Sequence, residues 1–187
     1  MLSSFAAYAS IASDFTSWIL DFVRLYPNWM ALIVLLLAFG ESLAFVSLIF
    51  PFWGVMVLGI GPILGATDAL NFWTVVAAAG IGAALGDWLS YWLGYHYHDR
   101  IQGMWPLKNH PDLIKRGRVF FKQWGAWAIV IGRFLGPLRA SVPIVAGITE
   151  MPWLRFQIAN WSSAFLWAAV LLAPGKLGIQ WLVNYFQ

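Results

Sequence analysis

Residues 72–94 read FWTVVAAAGIGAALGDWLSYWLG. As an α-helix this stretch would be about 35 Å long, enough to cross a hydrocarbon layer of about 30 Å. Ala78, Gly82, Gly86, Ser90 and Gly94 recur every four residues. One face of the helix is therefore a ridge of small side chains, along which another helix can approach closely. Gly82, Gly86 and Gly94 are the expected packing residues, and Asp87 and Tyr91 stand beside the ridge.

The rest of the chain has the composition that such a helix implies. Of its 187 residues, 61% are hydrophobic and 10% are charged, where a soluble domain carries about 25% charge. Mean hydropathy is +0.72. This much apolar surface needs lipid to cover it. Trp29, Trp73, Trp92, Trp124 and Trp153 flank the apolar runs, as interfacial anchors do. There is no cysteine, which excludes disulfides and thiolate metal sites.

Upstream, residues 29–50 are apolar apart from Glu41 and a few Ser and Gly, and Pro51 interrupts them. Residues 52–66 are apolar but short and rich in glycine, which predicts a broken or re-entrant segment. Such backbone is tolerated at membrane depth only where protein or a water-filled cavity covers it. Downstream, residues 124–149 are apolar yet contain Arg133, Gly136, Pro137, Arg139, Pro143 and Gly147. A straight lipid-facing helix does not tolerate that set. Pro51, Gly136, Pro137, Pro143 and Gly147 are the expected breaks or hinges. Residues 153–173 form another span, carrying Asn160 as a candidate interhelical hydrogen-bonding residue and ending at Pro174–Gly175.

The two broken regions share a pattern. Gly40–Glu41 is followed, after nine intervening residues, by Pro51, and Gly132–Arg133, again after nine, by Pro143. Paired interrupted segments in matching positions of two halves point to a transporter built from repeats. The domain layout expected is an amphipathic interfacial helix at 1–28, a membrane domain at 29–175 and a tail at 176–187. Within the membrane domain, 29–94 is the first half, 95–123 a basic loop and 124–175 the second half. In the N-terminal segment Ile11, Phe15, Trp18, Phe22 and Tyr26 recur at helical spacing opposite Asp14, Ser17, Asp21 and Arg24. It lacks the early positive charge of a signal peptide. The loop carries six Lys and Arg against two Asp, a net charge of +4, which marks the cytoplasmic side. Apolar spans on both sides of it argue against nucleic-acid binding.

Four ionisable residues fall inside the apolar stretches: Glu41, Asp87, Arg133 and Arg139. Each would cost roughly 2.5–3.5 kcal/mol at the centre of a lipid-facing helix. Two acids and two arginines are mutually neutral, so a shared polar centre is the simplest arrangement. On a straight helix Arg133 and Arg139 would point about 240° apart. A break near Gly136–Pro137 would let both converge on one cavity, where guanidinium forks suit a phosphate. Glu41 is the candidate proton carrier, with Asp87 as a second acid or as partner to an arginine. The competing bland reading is that these charges only pin the broken segments together. His96, His98 and His110 lie in the basic loop with no acidic cluster, so neither metal nor cofactor is expected. No Ser/His/Asp constellation appears, and an enzyme is not expected.

The stretches FGESLAFVSLIFP (39–51), GDWLSYWLGY (86–95), IGRFLGPLRASVPIVAG (131–147) and MPWLRFQIAN (151–160) resemble the DedA family, also called the SNARE-associated or VTT-domain family, in particular its YabI-like branch. The resemblance covers about residues 30–175. It implies a multi-pass protein of the bacterial inner membrane. The fold class is then an all-α membrane protein, with transmembrane helices plus two broken re-entrant segments related as an inverted repeat. It implies a flippase for an anionic polyprenyl phosphate such as undecaprenyl phosphate, or for a phospholipid, coupled to the proton-motive force. A proton-coupled small-ion antiporter and a structural membrane-homeostasis role are the alternatives. The family's membrane glutamate carries over to Glu41 and its two arginines to Arg133 and Arg139. Many relatives have a second acid where this chain has Trp53, so a two-acid scheme would need Asp87 instead. The partners implied are membrane lipids and protons, and the sequence allows a homo-oligomer.

Overall fold

The structure is a computed structural model that describes residues 21, 23, 25–43, 59–66, 70–97, 111–135, 139 and 141–186. The described residues are helical, with no strand among them. In chain order the helices are α1 (Pro27–Ser42), α2 (Gly61–Ala66), α3 (Phe72–His96), α4 (Pro111–Trp124), α5 (Trp127–Arg133), α6 (Ser141–Ile148) and α7 (Trp153–Phe186).

α3 is the central element, and its sequence explains both its start and its packing. The Asn71 side chain accepts a hydrogen bond of 2.8 Å from the Trp73 N–H, an N-cap that satisfies one otherwise unpaired donor. The small-residue ridge is buried along its whole length. A Cβ on Gly82 would collide with the Leu35 carbonyl of α1, and one on Gly86 with Phe39 O and Ser42. A Cβ on Gly94 would strike the Ile144 carbonyl of α6. The ridge therefore receives two different partners, α1 along its first half and α6 near its end. α7 also packs on α3. Val34, Ala38, Val75, Ala79, Ala83, Ala164, Ala168 and Leu172 form the fully buried core between α1, α3 and α7.

α3 and the Trp153–Gly178 part of α7 are long and apolar enough to cross a membrane. Their end tryptophans, Trp73, Trp92 and Trp153, are exposed, as are Trp29 and Trp124. Such rings suit the boundary between lipid and water.

Each short helix packs in a way that depends on its place in its half. α1 lies on α3 and α5 on α7, each against the long helix of its own half. α2 instead lies on α7, and α6 on α3, each crossing to the other half. Glycines make both crossings possible. Gly147 of α6 sits against the Tyr91 carbonyl of α3, and Gly175 of α7 sits against Gly61 of α2.

Several elements differ from the sequence reading. The span expected to stop at Pro174–Gly175 continues as helix to Phe186, with Pro174 inside it. Proline removes one backbone donor, and in a membrane helix neighbouring elements absorb that loss. Pro143 and Gly147, expected among the breaks, both lie within α6. Pro143 is the third residue of that helix, where its missing N–H would have no intrahelical partner anyway. Gly147 serves close approach to α3 and not bending. The basic 95–123 segment contains most of a helix, α4, whose charged and apolar residues alternate at helical spacing. Of the N-terminal segment, Asp21, Val23 and Leu25 are described and helical. Val23, not Tyr26, faces the core, because Tyr26 precedes Pro27 and has left the helix (φ −132°). Pro51, Trp53, Gly136 and Pro137 lie outside the described residues.

Candidate functional site: a buried charge cluster

The second broken segment is where the charges meet. α5 ends at Arg133, the chain turns at Phe134–Leu135, and helix resumes at Ser141 after Arg139. Arg133 in the last turn of α5 sits near the negative end of that helix, a favourable place for a cation. Glu41 occupies the last turn of α1. Asp87 follows Gly86 on α3, about 100° further round the helix, on the side where Arg133 of α5 meets it. All four side chains are buried: Glu41 is 2% exposed, Asp87 5%, Arg133 5% and Arg139 9%.

The cluster resolves into two unequal pairs. Arg133 forms an ion pair with Asp87 through Nη2. The same nitrogen donates to Asn160 Oδ1 at 2.6 Å, and Arg133 Nε donates to Ser163 Oγ at 3.0 Å. Asn160 in turn donates through Nδ2 to the Ala84 carbonyl of α3 at 2.9 Å. Charge-assisted hydrogen bonds of this kind contribute about 1.5–3 kcal/mol each, which offsets the several kcal/mol of desolvation per buried ion. Arg139 is held more loosely. Its Nη2 lies 3.8 Å from Glu41 Oε1 and 3.4 Å from Ser42 Oγ, and its guanidinium stacks over the Trp167 ring at 4.3 Å. Ser42 is itself tied into the seam, since Ser90 Oγ donates to its carbonyl at 3.3 Å.

A cavity of about 10 Å³ lies between the pairs, with Asp87, Arg133, Arg139, Ile129, Val142 and Pro143 in its wall. That is room for about one water. Arg133 and Arg139 thus line the same small cavity, despite the six-residue spacing that would separate them on a straight helix. Tyr91 lies outside this cavity. Its hydroxyl donates to the Met151 carbonyl at 2.6 Å, and its ring stacks on Phe156 with centroids 4.1 Å apart. It ties α3 to the start of α7.

A family model described as VTT domain matches residues 27–177, which span every charge described above. The chain belongs to the VTT-domain (DedA) family. Similar VTT-domain relatives include the inner membrane protein YabI of Escherichia coli K12, 37% identical over 77% of this chain and 56% of its own length. An uncharacterized membrane protein of Buchnera aphidicola from Acyrthosiphon pisum is 29% identical over 85% of this chain and 61% of its own. The inner membrane protein YghB of Escherichia coli K12 is 33% identical over 59% of this chain and 51% of its own. The chain thus spans roughly half to three fifths of the curated relatives it matches. No solved structure matches it. With its apolar spanning helices, this VTT-domain chain is an integral protein of the bacterial inner membrane.

Within the VTT domain, Glu41, Asp87, Arg133, Arg139 and Asn160 come together, while Tyr91 stands apart and bonds the start of α7. Sequence reasoning missed Ser42, Ser163 and Trp167. The last two were detectable, because Asn160, Ser163 and Trp167 follow at steps of three and four and so share one face of α7. The inequality of the two arginines had no sequence signal.

Proposed function

We propose that this VTT-domain protein is a membrane transporter that moves an anionic lipid phosphate, either a polyprenyl phosphate or a phospholipid, across the inner membrane. The observation that supports this most is the contrast between the arginines. Arg133 has Nε and Nη2 committed to Asp87, Asn160 and Ser163, whereas Arg139, stacked on Trp167, has only long polar contacts beside a cavity. Arg139 is the phosphate ligand in this reading, and Arg133 with Asp87 is the fixed neutral pair that keeps the site polar. A phosphate is far larger than one water, so the site as described is closed, and the broken α5–α6 segment must move for a headgroup to enter. The lipid tail stays in the bilayer while the headgroup crosses.

Glu41 supplies the link to protons. It sits in the last turn of α1 and faces Arg139. Protonating Glu41 frees the guanidinium for phosphate; phosphate release lets Glu41 lose its proton. No bond is made or broken, so the protein is not an enzyme. The reciprocal crossing of α2 onto α7 and α6 onto α3 supports a repeat architecture for the moving parts.

Reconstitution into liposomes with accessible undecaprenyl phosphate, with and without a pH gradient, tests the proposal. Translocation should be stimulated by the gradient, lost in Arg139→Ala, and lowered at least about tenfold in Arg139→Lys, which keeps the charge without the planar fork. Proton-coupled ion flux with no lipid moved would replace this reading with an antiporter. Release of phosphate from polyprenyl pyrophosphate would overturn the non-enzymatic assignment.

A further inference from the structure

A second polar concavity lies away from the buried cluster. It is a cleft of about 290 Å³ between the end of α4, the turn joining α6 to α7, and the first turn of α7. Arg118 and Lys122 of α4 and Arg155 of α7 line it, with Glu150 as the single carboxylate, leaving a net charge of +2. All four side chains are exposed. Among the described residues the three cations form no ion pair.

The walls of this cleft are set by unusual backbone. The two positive-φ residues in the described chain are Gly125 (φ 54°) and Glu150 (φ 55°), and both line it. Gly125 ends α4, its N–H bonding the Phe121 carbonyl, and turns the chain into α5. Glu150 ends α6 in a Schellman arrangement, with Glu150 N–H bonded to Gly147 O and Met151 N–H to Ala146 O. Glycine is the usual residue there, and a glutamate in the left-handed region costs about 1–2 kcal/mol. Strain of this kind collects at functional positions. α4 itself is seated firmly: Phe121 packs into the core, and a Cβ on Gly117 would strike Val145 of α6. The cations are thus presented from a fixed platform.

Apolar residues share the lining with these cations: Phe121, Ala126, Met151 and Pro152. On the same two helices Val119, Trp124, Trp153 and Leu154 are exposed. Basic residues interleaved with exposed apolar and Trp side chains are the pattern of a surface in contact with both headgroups and acyl chains. A soluble anion would need the cations but not the apolar part of the lining.

We infer that this cleft binds the headgroup phosphate of an anionic phospholipid at the membrane surface, as a site separate from the buried transport cluster. Glu150 is its built-in competitor, opposing the bound phosphate. The inference needs only the membrane location and stands whether or not transport is demonstrated.

The test is native mass spectrometry of the purified full chain, counting retained phosphatidylglycerol against phosphatidylcholine. Phosphatidylglycerol should be retained preferentially. The triple variant Arg118→Gln, Lys122→Gln, Arg155→Gln should lose affinity by about fivefold per cation removed. Glu150→Gln should gain affinity by a similar factor, and it decides the matter if the triple variant fails to fold. Equal retention of both lipids would overturn the proposal, as would unchanged binding in Glu150→Gln. Displacement of phosphatidylglycerol by inorganic phosphate at the same concentration would overturn it too, reassigning the cleft to a soluble anion.

Discussion

Arg133 and Arg139 have the same side chain, yet their surroundings give them different consequences on removal. Arg133 is one member of a buried, hydrogen-bonded ion pair, and taking away one partner leaves an uncompensated charge. Asp87→Ala or Arg133→Ala should each destabilise the protein by about 3–5 kcal/mol. The double variant should be much less damaged than the sum of the two, because it leaves no lone charge. Unfolding of the four proteins in mixed micelles gives the coupling energy directly; strict additivity would mean that the pair contributes nothing. Arg139→Ala should also destabilise, because it leaves the buried Glu41 without its cation and removes the stack on Trp167, but by less than Arg133→Ala, since its ion pair is longer. At this scale the sequence was informative about which residues matter, because four charges in apolar stretches must find one another. It could not rank them, since bonding depends on Asn160 and Ser163, residues whose side chains are common helix-surface groups.

Among the elements, α3 was the most legible. A four-residue period of small side chains has one physical use in a long apolar helix, and the structure puts α1 and α6 on it. Gly82→Ala should destabilise by at least about 1–3 kcal/mol, because the new methyl meets the Leu35 backbone and cannot be relieved by a rotamer change. Gly178→Ala on α7 is the matched comparison: nothing lies within 4 Å of its added Cβ. It should be neutral or stabilising by up to about 1 kcal/mol, through helix propensity alone. Thermal unfolding in detergent separates the two. The end of α7 was misread for a related reason. Pro174–Gly175 has the composition of a helix stop, but Gly175 is there to admit Gly61 of α2, and that contact is invisible without the partner.

At the scale of the whole molecule, the halves are interlocked. Because α2 belongs with the first half but packs on α7, and α6 belongs with the second but packs on α3, neither half can bury its apolar faces alone. Chains cut between residues 97 and 111 should behave accordingly. Each fragment expressed singly should be degraded or aggregated, and the two expressed together should co-purify as one species. Accumulation of a folded single half would contradict the interlock. The repeated Gly–charge–nine–Pro spacing hinted at two comparable halves, whereas the exchange of short helices between them is a long-range property that no local pattern encodes.

From its seat on α7, the amide of Asn160 joins two other helices: its oxygen accepts from the Arg133 guanidinium of α5, and its nitrogen donates to the backbone of α3. Turning α7 by a single residue would swing that amide through about 100° and sever both bonds together. α3, α5 and α7 are therefore keyed as one block that resists rotation about its own axis. In the proposed transport cycle that block stays whole, and the movement falls on the stretch that leads from α5 to α6 and on the end of α1, where Arg139 and Glu41 meet at 3.8 Å.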